Sequence, residues 1–91
     1  MLKQMLAVVM DGVKDTNMLA DYAKEADKHG EASAAAWFKA HAQNRFAALE
    51  RDWREVREEM RRKREPDDVL DALTDYVDGA VSELHKTLEA M

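Results

Sequence analysis

The sequence predicts an all-α protein, and three observations predict it. The 91 residues include only three glycines and one proline, too little turn chemistry for many short elements. Apolar residues recur at alternating steps of three and four through the middle and last thirds of the chain. Residues 31–65 hold neither glycine nor proline and are rich in alanine, glutamate and arginine, all strong helix formers. The expected architecture is an antiparallel three-helix bundle with coiled-coil-like packing around a long central helix, 31–65. It forms a single helical domain over 1–91.

Gly30 and Pro66 set the element boundaries. Lys28-His29-Gly30 places cations at a helix C-terminus, followed by a glycine able to take the left-handed cap conformation. Arg64-Glu65-Pro66 ends the central helix, because proline disfavours helical geometry in the residue before it. Asp67 and Asp68 then suit the first turn of the last helix. In the first segment Leu2, Met5, Leu6, Val9 and Val13 are followed by Leu19, Tyr22 and Ala26. Gly12 and the capping cluster Asp15-Thr16-Asn17 lie between the two groups. The segment is therefore one helix kinked near 12–17, or two helices, which would give four in all.

The central seam is Phe46, Leu49, Trp53, Val56 and Met60, spaced 3-4-3-4, and Trp37 is placed in the core with it. The last segment answers with Leu70, Leu73, Val77, Ala80 or Val81, Leu84, Leu88 and Met91. A short connection at Pro66 makes these two helices antiparallel, and the register then brings Trp53 opposite Asp78-Gly79. Gly79 is read as room for the indole, so a leucine there is expected to destabilise the fold by more than helix propensity. The same register sets Arg61 near Asp71, Arg57 near Asp75 and Arg54 near Asp78. His85 approaches Phe46.

Charge supports that pairing. Residues 66–91 hold seven acids against Lys86 alone, whereas residues 31–65 hold nine bases against seven acids. The Arg61-Arg62-Lys63-Arg64 run is thus read as an ion-paired, solvated helix end, not a phosphate-binding patch. The net charge of −5 also argues against nucleic acid.

Few chemical constellations are present. The chain has no cysteine, so disulfides, thiolate metal sites and cysteine nucleophiles are excluded. Ser33 and Ser82 lie in no glycine-rich elbow, the three glycines form no phosphate-cradling loop, and no Glu-x-x-His occurs. Glu25 with His29, and His85 with Glu89, are spaced four apart. The chain is therefore expected to be no enzyme and to use no cofactor. The N-terminus has no cleavage site and no stretch long enough for a membrane span, so a cytoplasmic protein is expected.

What remains is an apolar surplus. Leu2, Met5, Leu6, Val8, Val9 and Met10 cover more of a helix than one core stripe requires. These six are the expected interaction face. The expected function is that of a non-catalytic interaction or assembly protein, of adaptor or inhibitor type, forming a homodimer or other homo-oligomer. The alternative is a bundle binding a metal or ligand through inward-facing carboxylates and histidines.

Overall fold

The computed structural model describes residues 2–63 and 68–91, and every element in it is a helix: α1 (Leu2–Lys28), α2 (Ala32–Lys63) and α3 (Asp68–Glu89). The side chains of Leu2, Lys63, Val69 and Leu70 lie outside the described residues, as does the expected helix end at Arg64-Glu65-Pro66 with Asp67. The molecule measures 51 × 18 × 17 Å. Its long dimension is that of α2, whose 32 residues span about 48 Å at helical rise.

The first segment is one helix. Thr16, fully buried, donates its hydroxyl to the Gly12 carbonyl oxygen at 2.7 Å, one turn back. The cluster that could have capped a new helix instead satisfies itself within the existing one. At the far end the Gly30 N–H donates to the Asp27 carbonyl (3.1 Å) and the Glu31 N–H to the Ala26 carbonyl (2.9 Å). Gly30 sits at φ 71°. These paired bonds and the left-handed glycine make a Schellman cap, which turns the chain from α1 into α2 within three residues.

Packing is mainly between α1 and α2. Small buried residues line the contact: Gly12, Thr16, Ala20 and Ala23 on α1, and Ala42 on α2. Small side chains let two helix axes approach closely. Leu49 fills the dent at Gly12, where an added Cβ would lie 3.2 Å from its Cδ1. Val77, Leu84 and Leu88 of α3 complete the core against Phe46, Leu49, Trp53 and Val56. Met60 is half-buried at its edge, with the Thr74 hydroxyl 3.3 Å from its sulfur.

Three expected core positions are corrected. Trp37 is 56% exposed. Stepping back from Phe46 by fours and threes reaches Ala42, Lys39 or Phe38, and Ala35, and passes Trp37 by. Leu73 is 36% exposed, on the flank of α3. Gly79 is exposed, and a Cβ there would meet nothing within 4 Å. The buried Trp53 indole instead donates its Nε1–H to Asp78 Oδ1 at 2.8 Å. Successive helical residues point about 100° apart, so when Asp78 turns to α2 its neighbour Gly79 turns away.

The two glycines should therefore respond oppositely to alanine. Gly30→Ala forces a side chain into left-handed backbone and should cost about 1 kcal/mol. Gly79→Ala should stabilise by up to about 1 kcal/mol, through helix propensity alone. Paired urea melts check both signs, and a destabilised Gly79→Ala would return the indole to that position.

Candidate functional site

The apolar N-terminus does not form one face. Leu6 (5% exposed) and Val9 (0%) lie in the chain's own core, and Met5 packs against it. This corrects the six-residue interaction face, since residues already buried against α2 and α3 are not open to a partner. Val8 and Met10 remain exposed, but they point roughly 160° apart around α1 and cannot share one contact. Val8 flanks α2 beside Asp52 and Glu55. Met10 opens on the groove between α1 and α3.

That groove has a volume of about 480 Å³. Its apolar wall is Met10, Val13 and Met18 from α1, with Tyr76, Val77 and Ala80 from α3. Met10, Met18 and Tyr76 are among the exposed large apolar residues, Tyr76 at 65%. Asp11, Lys14, Asn17 and Asp21 form its polar rim. Two of its main side chains, Met18 and Tyr76, are absent from the expected face. The available signal is azimuth: each lies on the flank of its helix's apolar stripe instead of at its centre.

The expected inter-helix ion pairs are only partly as the register set them. Asp78 accepts from Trp53 and lies 3.9 Å from Arg57, so Arg57 pairs one turn away from the expected Asp75. Among the described residues no ion pair joins Arg54 to Asp78 or Arg61 to Asp71; Arg54, Arg61, Asp71 and Asp75 are all exposed. The Arg57–Asp78 side chains are each 46% exposed, which limits the pair to about 0.2–1 kcal/mol. Arg45 and Asp15, at 3.0 Å, add a similar bridge between α2 and α1.

The histidines face outward, contrary to the inward arrangement of the alternative reading. His29 pairs with Glu25 at 3.2 Å and His85 with Glu89 at 2.7 Å, each one helical turn apart on an exposed surface. His41 stacks on Trp37 with ring centroids 3.8 Å apart, and His85 lies 5.8 Å from Phe46. Trp37 also meets Phe38 edge-on, and Phe38 meets Tyr22. Among the described residues no group of three or more His, Asp or Glu is placed to hold a metal ion. No described helix is long and apolar enough to cross a membrane.

A second and larger hollow, about 690 Å³, lies where the end of α1, the start of α2 and the end of α3 meet. Alanines of α1 and α2, with Ala90 just past the end of α3, line it, and Lys24, Lys39 and Lys86 stand around them. Lys39 donates to the Met91 main-chain oxygen at 2.9 Å, tying α2 to the residues that follow α3.

No family model matches the sequence, and neither the curated proteins nor the solved structures searched include a match to it.

Proposed function

We propose that the chain is a non-catalytic interaction protein, an antiparallel three-helix bundle that self-associates through the α1–α3 groove in the cytoplasm. The antiparallel order is supported by contacts whose numbers rise along one helix as they fall along the next. Gly12 meets Leu49 while Asp15 meets Arg45, and Trp53 meets Asp78 while Phe46 meets His85.

The observation that carries the interaction reading is the exposure of Met10, Met18 and Tyr76 along one groove. Methionine and tyrosine suit contact surfaces, the first by its adaptable chain and the second by area gained at little entropic cost. A second copy is the occupant that the rim favours. Lys14 and Asp21, both on the rim and two helical turns apart on α1, carry opposite charges. An α1 running in the opposite direction sets Lys14 against the partner's Asp21. An interface related by a twofold axis requires such self-complementarity.

Size-exclusion chromatography with light scattering tests this at about 100 μM protein, near which even a weak dimer populates. The wild type should run with twice the monomer mass. Met10→Glu with Tyr76→Glu should return it to a monomer while the far-ultraviolet helical signal at room temperature is retained, because both side chains are exposed. Lys14→Asp should weaken the dimer, and adding Asp21→Lys should restore it. A wild type that stays monomeric throughout would leave the proposal without support.

A further inference from the structure

The chain holds six methionines and no cysteine, so thioether sulfur is what it offers to a peroxide. Met1 lies outside the described residues, and the fold sorts the other five. Met5, Met60 and Met91 pack against the core. The Met60 sulfur also accepts the Thr74 hydroxyl at 3.3 Å, which occupies one of its lone pairs. Met10 and Met18 are instead 41% and 43% exposed. Both line the α1–α3 groove, where Tyr76 is the other exposed large apolar side chain. They stand eight residues apart on α1 with Lys14 midway, one helical turn from each. One kind of modification therefore reaches two of the three exposed anchors of the groove, and does so on either side of Lys14.

We infer that Met10 and Met18 are a peroxide-sensitive pair, and that their oxidation to methionine sulfoxide separates the dimer. The inference rests on the self-association reading, because its consequence is felt in that same groove. The sulfur lone pair bonds to one oxygen of hydrogen peroxide as the O–O bond breaks. The hydroxide that leaves takes the proton from the new S–OH and departs as water. Sulfur loses two electrons and the peroxide gains them. The product places a polar acceptor where the interface needs an apolar wall, and burying it without a donor is costly. Lys14 is the neighbouring donor, and a Lys14 drawn to a sulfoxide is withdrawn from the partner's Asp21. Methionine sulfoxide reductases reverse the step: a thiol reductant becomes a disulfide, and the oxygen leaves as water.

Hydrogen peroxide treatment of the full chain at about 1 μM, where a weak dimer is open, tests this, with mass mapping of each methionine over time. Met10 and Met18 should gain one oxygen several-fold faster than Met5 and Met60. With both converted, light scattering at about 100 μM should give the monomer mass, a weakening of about tenfold or more. The far-ultraviolet helical signal should persist, since neither side chain is in the core. Met10→Leu with Met18→Leu keeps the wall apolar and should hold the dimer through the same treatment. Equal oxidation rates at the core and groove methionines would overturn the inference. So would a dimer that persists with both sulfoxides in place, or equal dissociation of the leucine variant. An untreated chain that is already a monomer fails the self-association reading and takes the inference with it, so the two failures are distinct.

Discussion

Trp53→Ala should lower the stability of the fold by about 3–5 kcal/mol, the usual cost of deleting a buried large aromatic side chain. A chain of this length holds on the order of 5–14 kcal/mol in all, so this one change should populate the unfolded state at moderate denaturant. Trp53 is 5% exposed, sits in the seam between Leu49 and Val56, and joins α2 to α3 through Asp78. Trp53→Phe separates the two contributions. It keeps most of the ring contact and removes the Nε1–H donor, leaving a carboxylate that is half exposed and still near Arg57. The Asp78 side chain can therefore recover water, and the loss should be about 1 kcal/mol. Urea melts followed by circular dichroism at a helical wavelength measure both without depending on tryptophan emission. A loss below 1 kcal/mol for Trp53→Ala would mean that the indole is not part of the core.

Gly12→Val should cost about 2 kcal/mol, although valine is a better helix former than glycine. The gain in propensity is a few tenths of a kcal/mol, whereas overpacking a filled core costs about 1–3. Even a single added Cβ would lie 3.2 Å from Leu49 Cδ1, and the second methyl of valine tightens the fit further. Leu49 cannot retreat freely, because it is 2% exposed and held by the core around it. Leu49→Ala alone should cost about 2–5 kcal/mol by leaving a cavity. The two changes touch each other, so the double variant should lose less than the two single losses combined, by at least ~0.5 kcal/mol. Strict additivity in a double-mutant cycle would show that Gly12 and Leu49 do not share the space.

Much of the helical framework is legible from spacing. Phe46, Leu49, Trp53 and Val56 are buried, as are Val77, Leu84 and Leu88, and Gly30 caps α1. The errors have a common physical origin. Trp37 is strongly apolar and Leu73 keeps the spacing of its helix's stripe, yet each is turned onto a flank, where neighbouring helices leave it open. Gly79 stands at the height along α3 where a dent for the indole would lie, but height does not specify azimuth. The dent is at Gly12, within a run of small residues on α1 whose meaning depends on a close partner helix. The candidate surfaces were less legible still. Leu6 and Val9 belong to the core, while Met18 and Tyr76, far apart in the sequence, line one groove only because α1 and α3 pack side by side.

By itself the sequence determined that this protein is helical, that its central helix is long, and that α1 turns into α2 at Gly30. Each follows from backbone preferences and periodicity, which act over a few residues. Only the tertiary structure decided which side of each apolar stripe is sealed. It kept α1 whole through Thr16, seated Leu49 on Gly12, joined Trp53 to Asp78, and left Met10, Met18 and Tyr76 uncovered. A rotation of about 100° per residue turns a one-position difference into the difference between core and surface. That rotation is settled by the neighbouring helix, not by the segment itself.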